Sequence, residues 1–350
     1  MYKKKILLLS FTIYFIFSMS GCQALNSSII NLEKVKVAYV INKGCLEDKG
    51  LNELGLEGVN KAATELGVKI TTIEIDKSNE QNFQKEFIKA TKSNDLIIVV
   101  GDDFNNVVNE AATNYRDKKF IVTSNKIRES NVQNISFRYE EGGFLAGVLA
   151  GRKGTNKEVG YIAIKDSEPN KQLLSGYMAG IKITNPSALS KLLSSENVKY
   201  VEDCNKIDIA YNEALKLYGN GCEVILTDAG RASEGVFKAA KEKGKYVINI
   251  GMDAREVYSD YRENILGSLK VNFDKVLYES VSDVKKGLFK SGKVNKINEG
   301  LKENTLEVII NDALIDIKTI DLINTYKSQV IKEKIEIPKI KEEVLEFKVQ

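Results

Sequence analysis

Short apolar runs alternate with amphipathic stretches through most of this 350-residue chain, and the order predicts its elements. Val35–Ile41 is apolar and β-branched, the mark of a strand. Leu54, Val59, Ala62, Ala63 and Leu66 repeat at helical spacing within Leu51–Leu66, and Gly67 stops that helix. Strands follow at Val68–Ile75, Leu96–Val100 and Phe120–Thr123, separated by helices at Gln81–Thr91 and Asn105–Arg116. After a helix at Tyr139–Gly151 the same alternation restarts. Strands at Val159–Ile164, Lys199–Val201, Val224–Leu226 and Tyr246–Ile250 alternate with helices at Lys171–Lys182, Tyr211–Tyr218 and Gly235–Lys243. A strand at Ile265–Val271, a helix at Phe273–Leu288, a strand at Thr305–Ile310 and a helix near Thr319–Lys332 complete the pattern.

Mostly apolar strands separated by amphipathic helices imply a parallel sheet covered on both faces. Two such runs of similar size imply two similar lobes. The expected class is therefore α/β, with two doubly wound parallel-sheet lobes, a hinge, and a cleft at the carboxyl ends of the strands. The expected N-terminal lobe is 34–136 plus about 272–300. The C-terminal lobe is 137–271 plus about 301–338, and Ile337-Pro338 ends the fold before a charged tail at 339–350.

The first residues break the pattern. Three lysines at 3–5, an apolar run at Ile6–Phe17 and then Met19-Ser20-Gly21-Cys22 read as a secretory signal (1–21) closing in a lipobox. The run of about a dozen residues is short of the roughly 20 that span a bilayer. An uncleaved anchor is the alternative. Cleavage would leave Cys22 to be lipidated, 22–33 as a tether, and the protein on the extracytoplasmic face of the cell membrane.

Composition narrows the chemistry. The chain has 51 Lys and Arg against 48 Asp and Glu. Loss of residues 1–21 removes Lys3, Lys4 and Lys5 and no acid, which leaves a balanced chain without a nucleic-acid footprint. Histidine is absent, so imidazole acid–base chemistry, Ser-His or Cys-His activation and imidazole metal ligation are excluded. Cys45, Cys204 and Cys222 are too few and too scattered for a disulfide framework or a zinc site, and read as small buried or half-buried residues. No cofactor, metal site or enzyme activity is expected, and an enzyme is the weakest of the readings.

Several segments then carry a resemblance. Ile135-Ser136-Phe137-Arg138-Tyr139-Glu140-Glu141-Gly142-Gly143-Phe144-Leu145-Ala146-Gly147 resembles the crossover segment of the basic membrane protein family of lipoproteins. Ile250-Gly251-Met252-Asp253, Gly267-Ser268-Leu269-Lys270 and Val284–Gly292 are similar to further segments of that family, in order, over residues 35 to 338. The resemblance implies a type I periplasmic-binding fold and a substrate-binding lipoprotein of an ABC importer, working as a monomer with a permease. Characterised members bind purine nucleosides.

Carried over residue by residue, the resemblance is mixed. Glu47-Asp48-Lys49-Gly50-Leu51-Asn52 keeps the family's ligand-facing acid (Asp48) and amide (Asn52) but has Leu51 where the family has a base-stacking Phe. The second aromatic falls on Cys204. A stacked base is worth about 1–3 kcal/mol, so purine affinity should suffer. Ser124 replaces an aspartate at the end of a strand, and Asp228 opens the segment replacing a Gly-rich loop. Asp253 and Lys270 are the ribose-type contacts implied to survive; the bland alternatives are helix caps for Asp48 and Asp253, with Lys270 bridging Asp253. Arg231 and Arg255, if they line the cleft, would favour an anionic ligand. Gly142, Gly143, Gly147 and Gly151 read as close-packing positions on a helix and not as a phosphate loop. The leading function is solute binding by lobe closure. A surface sensor with an altered pocket is the alternative, favoured by the lost aromatics and the charged tail.

Overall fold

The computed structural model describes residues 34–76, 80–124, 126–292 and 296–349. The signal segment, Cys22 and the tether through residue 33 lie outside them. From Val35 the chain runs through β1 (Lys36–Asn42), α1 (Leu51–Leu66), β2 (Lys69–Ile75), α2 (Glu80–Ser93), β3 (Leu96–Val99), α3 (Asn105–Asn114), β4 (Lys119–Val122) and β5 (Val132–Phe137). It continues with α4 (Tyr139–Lys153), β6 (Glu158–Ala163), α5 (Glu168–Thr184), α6 (Leu189–Leu193), β7 (Val198–Tyr200), α7 (Ile207–Gly219), β8 (Cys222–Asp228), α8 (Ser233–Lys243), β9 (Tyr246–Gly251), α9 (Ala254–Val257) and β10 (Ile265–Val271). It ends with α10 (Phe273–Lys285), β11 (Lys296–Glu299), β12 (Leu306–Ile310) and α11 (Ile317–Ile331).

The strands form two six-stranded sheets, ordered β11-β5-β4-β3-β1-β2 and β12-β10-β9-β8-β6-β7. Every pairing is parallel except β10 with β12, which closes the second sheet with an antiparallel edge. The apolar run that predicts β1 is buried from Val37 to Ile41. Two strands escaped the sequence reading. In β5, Gln133 and Asn134 are polar yet buried, so the segment does not read as apolar; Asn134 Nδ2 donates to the Ile127 carbonyl at 2.9 Å. β11 is a short, polar edge strand.

Three crossings join the two sheets: β5 to α4, β10 to α10, and β11 to β12. They are bonded to one another. Arg138 donates to the Asn298 carbonyl at 2.7 Å and to Glu303 at 2.5 Å, while Asn272 Nδ2 donates to the Asn304 carbonyl at 2.9 Å. Phe137 meets Phe273 edge to face, ring centroids 5.9 Å apart. All three crossings leave from one side of each sheet, which makes that side the hinge.

The helix after the first crossing is locked to its neighbour. A Cβ built on Gly147 would lie 2.2 Å from the Tyr177 carbonyl, and one on Gly180 would lie 2.2 Å from the Phe144 carbonyl. Only hydrogen at these positions lets the α4 and α5 backbones touch, the close packing that the glycine spacing predicts. The C-terminal segment packs against the same pair. Lys182 Nζ donates to the carbonyls of Val344, Leu345 and Phe347, Ser175 Oγ donates to that of Ile340, and Phe347 meets Phe144 edge to face. The tail, whose state the sequence left open, is thus folded onto the second lobe.

Candidate functional site

A cavity of about 460 Å³ lies between the lobes at the carboxyl ends of the strands, a volume suited to one small ligand. Its floor comes from the hinge residues Phe137, Tyr139 and Val271. Its walls come from the loops after β1, β3 and β4 in one lobe and after β6, β7 and β8 in the other.

Asp48, Asn52, Ser124 and Asp228 all line this cavity. Asp48 also starts α1. Its carboxylate accepts from the backbone N–H groups of Gly50, Asn52 and Glu53 and from Asn52 Nδ2, the last at 2.7 Å. It is both the cap and a wall of the cleft. Burial pushes its carboxyl above the ordinary range, and those hydrogen bonds pull it partly back. Ser124 Oγ accepts from Lys126 N at 3.2 Å, leaving its hydroxyl hydrogen to donate into the cavity.

Asp228 is differently placed. At the end of β8, its carboxylate takes no hydrogen bond or ion pair from the described residues. Burial, then the nearby charge of Asp48, raise its carboxyl to about 6. Asn42, at the end of β1, was missed by sequence reasoning. It too lines the cavity, and its Oδ1 is buried without a partner among the described residues. A polar residue closing an apolar strand run was the signal available.

Two expected contacts lie elsewhere. Asp253 and Lys270 are absent from the cavity wall. Asp253 caps α9, accepting from Arg255 N at 3.1 Å and pairing with the Arg255 guanidinium at 3.2 Å. Lys270 is half-buried on β10 and does not bridge to Asp253; its positive charge is felt at Glu57 of α1. The arginines raised as anion binders are not there either, since Arg231 is exposed and Arg255 is committed to Asp253. Among the described residues, eight acids and three lysines line the cavity. Of these lysines, Lys43 pairs with Asp76 and Lys165 with Asp102 and Asp103. This wall attracts donors and cations, and the case for an anionic ligand falls.

The cysteine expectation is also corrected. Cys45 and Cys204 form a disulfide between the lobes, Cα atoms 6.2 Å apart, and both line the cavity. The loops after β1 and β7 converge only in the folded chain, which spacing could not reveal. Cys222 alone fits the expectation: it is buried and free, its thiol pushed up to about 12 by burial. Among the described residues no cluster of His, Cys, Asp or Glu could hold a metal ion, and no helix is long and apolar enough to cross a membrane.

Residues 34–341 match the family described as Bmp, ABC transporter substrate-binding protein PnrA-like. The chain belongs to the Bmp family. Among its relatives, basic membrane protein A of Borreliella burgdorferi is 28% identical over 349 residues, covering 98% of each chain. An uncharacterized lipoprotein of Pyrococcus abyssi is 30% identical over 286 residues, 78% of this chain and 68% of that one. A solved ABC transporter solute-binding protein from Aeropyrum pernix superposes with a TM-score of 0.74 at 21% identity, over 89% of this chain and 96% of that one. The two-lobed fold is therefore the type I periplasmic-binding fold, and Bmp family members are substrate-binding components. At the two positions where the resemblance placed stacking aromatics, this Bmp chain lines its cavity with Leu51 and the disulfide-bonded Cys204.

Proposed function

We propose that this protein is a lipid-anchored, extracytoplasmic solute-binding component of an ABC importer, which closes its lobes on a nucleoside or related small polar molecule. The observation that carries the reading is the Asp228 carboxylate, which lines the inter-lobe cavity and takes no hydrogen bond or ion pair from the described residues. Buried acceptors left unpaired are costly, so the cavity favours a ligand that brings hydroxyl or amino donors. A sugar diol supplies two donors to one carboxylate, and the Ser124 hydroxyl can answer an acceptor on the same molecule. Closure would work by population: contacts from both lobes stabilise the closed state, with no bond chemistry. Anchoring through Cys22 is supported by the lipobox and by relatives named as lipoproteins. The sensor reading loses one support, because the charged tail packs on α4 and α5 and is not a free arm.

A thermal-shift screen of the soluble chain from Gln23, with nucleosides, nucleobases and sugars, tests this. A ligand at 100 times its dissociation constant stabilises the fold by about 2.7 kcal/mol. The expected result is a shift with a nucleoside or sugar that Asp228→Asn diminishes. A panel without any shift, with and without dithiothreitol, would overturn the reading.

A further inference from the structure

The Cys45–Cys204 disulfide stands where a binding protein of this architecture has to move. The three chain crossings sit on the β5/β11 side of one sheet and the β10/β12 side of the other. Cys45 follows β1 and Cys204 follows β7, strands on the far side of their sheets. With strands about 4.8 Å apart, β7 lies roughly 24 Å across its sheet from β12. Rotation about the hinge therefore parts the loops after β1 and β7 farther than the residues at the cavity floor. Non-covalent ties span the same mouth: Asn205 Nδ2 to the Gly44 carbonyl at 2.8 Å, and Lys165 Nζ to Asp102 at 2.7 Å. Those can break and reform during an opening event. A disulfide cannot, because its Cα atoms stay within about 7 Å of each other whatever the lobes do.

We propose that Cys45–Cys204 is a reducible latch, a site of thiol–disulfide exchange with an extracytoplasmic dithiol, and that its reduction permits the cleft to open. This rests on the reading of the cleft as the ligand site. The entering thiolate attacks Sγ of Cys45, the more exposed of the pair, forming a mixed disulfide and expelling the Cys204 thiolate. Asn205 Nδ2, 3.3 Å from Cys204 Sγ, is placed to donate to that leaving sulfur. The second thiol of the reductant then displaces Cys45. The reductant leaves as a disulfide, and both cysteines hold the two electrons and two protons as thiols. Cys222, buried and outside the disulfide, takes no part. The oxidised protein keeps its mouth shut on the cavity; the reduced protein exchanges its contents.

The test uses the soluble chain from Gln23 without ligand, so it reads the latch whether or not any compound in the binding screen is recognised. Small-angle scattering and amide hydrogen exchange are recorded for the oxidised protein, the dithiothreitol-reduced protein, Cys45→Ser with Cys204→Ser, and Cys222→Ser as control. Reduction and the double variant are expected to enlarge the radius of gyration and to speed exchange in residues 42–50 and 200–205 on the order of tenfold. The control should behave as the oxidised protein. Identical scattering and exchange in oxidised and reduced protein would overturn the proposal. So would alkylation of Cys45 and Cys204 by iodoacetamide before any reductant is added. Reduced wild-type protein guards against a double variant that fails to fold.

Discussion

Lys165, two residues beyond β6, reaches across the cleft mouth to Asp102 and Asp103 beyond β3, its Nζ 2.7 and 2.5 Å from their carboxylates. The pairing belongs to the closed arrangement, since its partners sit on different lobes. All three side chains are about a third exposed, so each pair is worth about 0.5–1 kcal/mol and no more. Lys165→Ala should weaken ligand binding roughly two- to fivefold in reduced protein, where no disulfide holds the mouth. Calorimetric titration of the reduced protein checks this; an unchanged affinity would count against a closure role for Lys165.

Asp228 should make binding and stability depend on pH in opposite senses. Its folded-state carboxyl is raised to about 6, above the ordinary aspartate value, so the folded protein takes up a proton before the unfolded chain does. Stability should accordingly rise as pH falls from about 6 toward 4, other groups aside. Asp228→Asn should stabilise the free protein at pH 7 on the order of 1 kcal/mol, because solvent in the cavity screens the rest. Ligand affinity should instead fall below pH 6 in the wild type and become flat across that range in the variant. Denaturant melts and titrations from pH 4.5 to 8 separate the two effects.

Gly147→Ala should be among the most damaging small substitutions in the molecule. The added methyl would meet the Tyr177 carbonyl at 2.2 Å, a backbone atom that cannot rotate away. A loss of about 1–3 kcal/mol or more is expected. Gly67→Ala makes a useful contrast: it has open space but a φ of 68°, so its cost is conformational alone. Thermal melts of the pair should place Gly147→Ala lower.

Ending the chain after Pro338 should destabilise the second lobe. Truncation strips the buried Val344 and Phe347, and takes from Lys182 its three carbonyl acceptors. Loss of the two buried side chains alone is worth about 3–6 kcal/mol. A truncated protein that melts like the full chain would show the packing to be inconsequential.

How much of this was legible in the sequence follows from what each feature depends on. Strand β1 and helix α1 are local: an apolar run, helical spacing and a terminal glycine suffice. Ser124 and Asp228 stand at or just past strand ends, and Asp48 and Asn52 at the start of the helix that follows β1, so two-lobed topology alone brings them to one cavity. Asp253 also follows a strand end, but a local ion pair with Arg255 claims it. The polar interior of β5 hid a strand, because Gln133 and Asn134 are buried for reasons no periodicity carries. The Cys45–Cys204 bridge joins residues 159 apart, and the Lys165 contacts likewise exist only once two loops meet. Spacing along the chain says nothing about either.

Both sheets are finished late. The first gains its edge strand β11 only at residues 296–299, and the second gains β12 at 306–310, followed by the segment that packs on α4 and α5. A chain emerging from its N-terminus therefore exposes two incomplete sheets until some 300 residues are out, with the unpaired edges of β5 and β10 open to other strands. Neither lobe can be produced alone by cutting the sequence once. Any attempt to isolate the first lobe has to carry residues 272–299 with it, grafted across the gap where the second lobe would have been.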